Sequence, residues 1–371
     1  MSITSVPVPS APGAGDHRLR DLETSALRYD VPVEDALLIA VNLFGITSEH
    51  TERHRARVNL RLVRQPDEPW QVIVPLNQPA SPFRLRGNEL FLNGKIVAHV
   101  EQIAADEAVG GYFRNAGRAA TLNPNARSRC VGCAFCPNTL EAAADPRMGE
   151  DQELDDLLAA LAEQHPRHDL SELTEVTVST GCFEREDAAV AHLIALRAAL
   201  GRAGVRARIG FLTSVLRSEK AFEVLAKQVN PFVLRLTAEC FTRRPVMLKD
   251  TKASLLPEQM PALLTRARAL GLDTSYTYIV GLDPLPDMTA GIRDMAEATS
   301  CFPNFQVFQA HTPLMAGLRV AGAETLDYYL AARRTIEQIM APTGLTPVGW
   351  ECYRPLWYRT FAGKELTHGR A

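Results

Sequence analysis

The stretch Arg127-Ser128-Arg129-Cys130-Val131-Gly132-Cys133-Ala134-Phe135-Cys136-Pro137-Asn138 gathers three of the chain's 7 cysteines into one C-x2-C-x2-C run. An odd number of cysteines suits a disulfide framework poorly. In a reducing compartment so tight a cluster binds metal or does redox work. Three thiolates on a short loop can hold three corners of a cubane iron–sulfur cluster, with Gly132 letting the backbone wrap closely. One iron then stays open to a ligand from outside the chain. Two other readings compete. Structural zinc asks for four closed ligands, and the nearby histidines, His165 and His168, stand well apart from the run. An electron carrier of the ferredoxin kind would continue with x3-C-P, whereas Pro137 follows Cys136 directly.

Working outward from the loop, the residues on its C-terminal side alternate strand and helix. AATLN (119–123), LTEVTVST (173–180), RARIGFLT (206–213), FVLRLTAE (232–239), TSYTYIVGL (274–282) and FQVFQAH (305–311) read as strands. Between and after them, 150–164, 187–203, 219–228, 257–271, 288–299 and 323–340 are amphipathic, several ending near a glycine that suits a left-handed cap. This order implies a parallel sheet covered by helices. Six units of about 37 residues each fall short of the roughly 250 residues of an eight-unit barrel, which favours an open six-unit barrel. A doubly wound sheet stays open as an alternative, although no G-x-G-x-x-G follows the first strand. GLTPVGWECY (344–353) is a candidate seventh strand.

On the N-terminal side, residues 30–110 read as a small β-rich module. LLIAVNLF (37–44), RVNLRLV (57–63) and WQVIVPL (70–76) are short branched runs, and Asn93-Gly94 between apolar runs signals a tight hairpin. No motif there names a chemistry, so it reads as a lid or docking module. Residues 1–20 have little to bury and read as a disordered tail. The segment 346–371 is rich in aromatics. Trp350, Tyr353, Trp357, Tyr358 and Phe361 are expected to pack it across the barrel's open edge or bottom.

The cysteine run, the aromatic Phe135 before its last cysteine and the unit pattern over 118–341 resemble the radical S-adenosylmethionine (SAM) superfamily. The first gap of the run is one residue shorter than the family's common C-x3-C-x2-C. The resemblance implies an α/β fold, a partial (β/α)6 TIM-like barrel spanning 115–345, with Cys130, Cys133 and Cys136 holding a 4Fe–4S cluster. SAM would be held by Phe135, by Gly181 and Glu184 after the second strand, by Glu239 and Arg243 after the fourth, by Gly281 after the fifth and by His311, beside Gln309, after the sixth. Reductive cleavage of SAM to a 5′-deoxyadenosyl radical acting on a small-molecule substrate is the implied activity, in cofactor or natural-product biosynthesis, with flavodoxin or ferredoxin as external reductant. Cys182, Cys240 and Cys352 are candidates for an auxiliary iron–sulfur cluster. That cluster would suit sulfur insertion, the alternative within the family; a metal-binding or electron-transfer protein without SAM chemistry is the alternative outside it. No D-x-H-x-x-G motif points to a corrinoid.

Composition sets the outer limits. With 371 residues, 46% hydrophobic and 22% charged, the chain can bury an ample core. A formal net charge of −3 and the lack of a polybasic run give no support to nucleic acid or an anionic membrane as partner. With no spanning stretch or signal core in the sequence, a cytoplasmic protein is expected.

Overall fold

A computed structural model describes residues 19–49, 54–78, 80–105, 112–123, 132–136, 153–179, 183–349 and 351–366. The chain opens with two helices, α1 (Leu19–Tyr29) and α2 (Val33–Phe44). A sheet follows, made of β1 (Thr47–Ser48), β2 (Arg55–Leu62), β3 (Gln65–Pro75), β4 (Phe83–Arg86), β5 (Glu89–Leu92) and β6 (Lys95–Ala104), in the order β1-β4-β5-β6-β2-β3. The expected hairpin is present: β5 and β6 pair across Asn93-Gly94, both with positive φ (44° and 86°), the backbone that a two-residue turn requires.

Two expectations are corrected here. LLIAVNLF is not extended; it forms most of α2. A short apolar run cannot distinguish a buried strand from a helix buried all round, and nine of the twelve α2 residues are buried. Glu34 and Asp35 in its first turn and Gly45 at its C-cap, with φ 70°, are the helix signals in the sequence. Likewise Leu19 and Arg20, assigned to the tail, begin α1, whose Leu22 and Ala26 are buried.

The second sheet carries the site. Its strands are β7 (Tyr112–Arg114), β8 (Ala119–Leu122), β9 (Glu175–Val178), β10 (Arg208–Thr213), β11 (Phe232–Glu239), β12 (Asp273–Val280) and β13 (Asn304–Val307). Interleaved are α3 (Leu154–Gln164), α4 (Glu186–Arg202), α5 (Glu219–Gln228), α6 (Arg244–Met247), α7 (Asp250–Ala253), α8 (Met260–Ala269) and α9 (Leu285–Ala296), with α10 (Pro313–Ala316) and α11 (Leu326–Met340) after β13. Strand order follows chain order from β7 to β13, with β8 to β13 parallel and β7 an antiparallel edge. Right-handed crossovers that never reverse direction put every helix on one face. A doubly wound sheet needs a reversal to cover both faces, so the unbroken order yields a curled half-barrel instead. Within it β8 and β13 are not paired.

Each sheet face has its own packing. Val176, Val178, Ile209, Leu234, Leu236, Tyr276 and Phe305 belong to the main core, on the helix side. Their neighbours in sequence, among them Glu175, Thr177, Gly210, Arg235, Thr277 and Ile279, point into the half-barrel, as strand alternation requires. A second apolar cluster fills its upper end, at the C-terminal ends of the strands: Ile279, Leu282, Phe308, Cys240, Met247 and Met315 among others.

The C-terminal segment runs along the open edge. Val307 N donates to Arg354 O (2.8 Å) on one side, and Arg114 Nη1 donates to Glu351 O (3.5 Å) on the other. Trp357 and Phe361 pack edge-on against Phe302, in line with the expected packing of the tail, while Trp350 lies outside the described residues. The described residues of 344–353 form no seventh strand. The last pairing is the hairpin of β14 (Thr360–Phe361) and β15 (Lys364–Glu365). Among the described residues no helix is long and apolar enough to cross a membrane.

Candidate functional site

Cys133 and Phe135 pack against the upper apolar cluster, beside Cys240, Ile279 and Phe308. The cysteine loop thus sits over the C-terminal ends of β11, β12 and β13, the end where half-barrels gather their loops. Local bonds set its shape. Ala134 N donates to Met247 O (3.0 Å) and Cys136 N to Cys133 O (3.2 Å). Gly132 has φ 103°, and a Cβ there would lie 2.9 Å from Lys249 Cβ, so this position needs glycine twice over. Cys130 lies outside the described residues.

The thiol of Cys133 is pushed up by burial; against this act the Lys252 ammonium and the Lys249 backbone N–H directed at its sulfur. Lys252 Nζ also pairs with Glu239 Oε1 at 2.8 Å. Glu239 has φ 60° and follows a register shift in the β11–β12 pairing, which turns its side chain out of the strand alternation toward the loop. A cluster on thiolates in an apolar seat is tuned by nearby N–H donors and cations. The donors present here, two thiols with a backbone N–H and an ammonium beside them, suit such a group.

Asp283, not singled out from the sequence, and Arg244, noted there beside Arg243 as a guanidinium for SAM, build the rim. Asp283, fully buried, accepts from Phe241 N (2.6 Å), Thr242 N (2.9 Å), Thr242 Oγ1 and Tyr278 Oη (2.8 Å). Arg244 donates to the carbonyls of Ala238, Cys240 (2.6 Å) and Lys252 (2.7 Å). Together they tie the loop after β11 to the loop after β12. An Asp two residues after Gly281 was the only sequence signal for the first.

The other expected contacts are distributed around this rim. Arg243 donates to Leu282 O (2.5 Å) and Leu318 O (2.9 Å). Gly281, φ 115°, leaves room for Tyr329, whose hydroxyl would stand 2.6 Å from a Cβ. Gln309 Nε2 donates to Ile73 O (2.6 Å) and Asn42 Oδ1 (3.0 Å), and His311 Nδ1 lies 3.3 Å from His54 O, so both face the N-terminal module. Glu184 is exposed; Gly181 and Cys182 lie outside the described residues. Cys240 is buried at the upper end, with its thiol pushed up to about 12 by burial and then by Asp283. Cys352 is held elsewhere, its Sγ 3.5 Å from Phe305 O. Among the described residues no three metal-binding side chains converge.

Neither protein-family models nor curated proteins give a match to this chain. Solved structures do. SuiB from Streptococcus suis, also solved bound to S-adenosylmethionine, is 11% identical over 52% of this chain and 40% of its own, with a TM-score of 0.35. TsrM from Kitasatospora setae, with cobalamin and a [4Fe-4S] cluster bound, is 14% identical over 51% of this chain and 38% of its own, with a TM-score of 0.34. A protein from Sphaerobacter thermophilus is 12% identical over 93% of this chain and 96% of its own, with a TM-score of 0.41. The last two are radical SAM methyltransferases. The similarity thus spans about two fifths of the length of SuiB and TsrM.

Proposed function

We propose that this chain is a radical SAM enzyme acting on a small-molecule substrate, with Cys130, Cys133 and Cys136 holding a 4Fe–4S cluster at the mouth of the half-barrel. The observation that carries the reading is the seat of the cysteine loop. Cys133 and Phe135 close the upper apolar cluster directly above a strand-lined interior. When bound, the cluster and SAM would supply a 5′-deoxyadenosyl radical able to take a hydrogen atom from a substrate.

The chain's own residues have defined tasks in this reading. Phe135, Ile279 and Phe308 exclude water from the seat. Lys252 and the Lys249 N–H favour the thiolate of Cys133, as a sulfur ligand must be deprotonated to bind metal. Glu239 and the turn at 181–184 hold the polar end of SAM, with Gly281 at the same rim. Arg243, Gln309 and His311 serve this site by bracing the rim through the bonds described above.

Anaerobic loading with iron and sulfide, followed by SAM and dithionite, tests the reading. Release of 5′-deoxyadenosine and methionine is expected. An air-stable, zinc-only protein that leaves SAM intact would favour the metal-protein alternative.

A further inference from the structure

Below the cluster seat the half-barrel is polar, and its polar atoms are incompletely matched. Thr237 and Thr277 are register partners on β11 and β12. Both are buried, at 3% and 2% exposure, and neither hydroxyl has a hydrogen-bond partner. Two residues before Thr237 on the same face, Arg235 is 1% exposed. Its Nη1 donates to Glu175 Oε1 at 2.7 Å, while Nε has no partner and Nη2, 3.1 Å from Glu351 Oε1, makes no hydrogen bond. Arg354 reaches in from the open edge to Gln306 Oε1, and its Nε is buried without a partner. Buried polar groups left unmatched in one place ask for an explanation.

Charge points to the kind of group that matches them. Among the described residues, Arg208 and Arg235 pair with the carboxylates of Glu175 and Glu351, and Arg208 also with Asp273, which is 45% exposed, while Arg114 donates to Thr177 Oγ1 and Arg354 to Gln306 Oε1. Arg235, Glu175 and Glu351 are buried outright, and over the buried and partly buried groups together four guanidiniums stand against three carboxylates, a small positive excess. Every unmatched atom named here is an N–H or a hydroxyl able to donate, so the complement is an oxyanion. On the same face Leu212 and Thr121, in register with Arg235 and Thr177, are partly exposed.

We propose that the interior of the half-barrel binds one carboxylate group of the substrate, between Arg235 and Arg354, with Thr237 and Thr277 donating from the strands above Arg235. The pocket's role as a substrate chamber rests on the cluster reading above; its affinity for a carboxylate does not. An organic acid held there by its carboxylate would present its carbon skeleton to the apolar upper end, below the cysteine loop.

Methyl NMR on the threonine-labelled full chain, with and without iron–sulfur loading, tests this with propionate, propionamide and propylammonium as probes. Propionate is expected to move the Thr237 and Thr277 methyl signals saturably, with propionamide at least tenfold weaker and propylammonium silent. Thr277→Val, which also assigns its signal, should weaken propionate about three- to tenfold as read at Thr237. Arg354→Gln should weaken it by about tenfold or more. Equal binding of the amide, unmoved signals, or affinity unchanged in both variants would overturn the proposal. Propionate binding in a protein that cannot cleave SAM would retire the cluster reading and leave the pocket standing; SAM cleavage without propionate binding would do the reverse.

Discussion

The two ends of the half-barrel interior bury ionisable groups with opposite results. At the upper end the Cys240 thiol is pushed up to about 12. At the lower end the Glu175 carboxyl is held down to about 2. Burial pushes both upward. What differs is the company: Cys240 lies among Ile279, Phe308 and Met247, whereas Glu175 meets the guanidiniums of Arg235 at 2.7 Å and Arg208 at 2.5 Å. Where neighbours are apolar, burial wins; where two fixed cations converge, they win. The interior thereby has an upper end that keeps the Cys240 thiol neutral and a lower end that keeps the Glu175 carboxylate ionised.

Breaking the contrast at its upper end should have the largest effect. Cys133→Ala or Cys136→Ala is expected to lower bound iron and sulfide to background after anaerobic loading, with the fold retained by circular dichroism. At the lower end, Glu175→Gln leaves Arg235 and Arg208 with Glu351 as their one shared carboxylate, and loss of one partner from a buried pair costs about 3–5 kcal/mol. Urea unfolding would read it; a loss below about 1 kcal/mol would show the pair to be dispensable.

The rim between the two ends sharpens the comparison. Asp283→Asn keeps the size of the side chain but removes the charge that gathers four donors, and about 2–3 kcal/mol of stability should go with it. Acid should act at the lower end through Glu175. Because the Glu175 carboxyl is lowered from 4.5 to about 2, its contribution is complete above its ordinary range. That contribution is lost as pH falls through about 4 toward 2. The pH dependence of unfolding should therefore flatten in Glu175→Gln over that window. The smallest change belongs to the outer surface: Arg202→Ala breaks an exposed pair with Asp155 and should shift stability by about 0.5 kcal/mol or less.

The legible parts of this sequence were those with local signals. FVLRLTAE (232–239) has the bounds of β11 and EKAFEVLAKQ (219–228) those of α5, because branched runs and helical periodicity act within a few residues. The cysteine loop stood out for the same reason, as a motif contained in a few consecutive residues. Arg235 was not, since its partners Glu175 and Glu351 come from remote parts of the chain, and a buried arginine inside an apolar strand carries no mark of its bonds. Arg243 was legible as a cation at the rim, but not the two backbone carbonyls that engage it. The helix α2 was missed because complete burial erases the polar face by which a helix is recognised.

The most direct measurement is electron paramagnetic resonance of the dithionite-reduced, iron-loaded wild-type chain before and after SAM is added. The expected result is a cluster signal, with about four irons per chain by iron analysis, that shifts on SAM addition, since one iron of the proposed cluster would have no cysteine. A colourless protein after loading, or a cluster signal indifferent to SAM, would contradict the account.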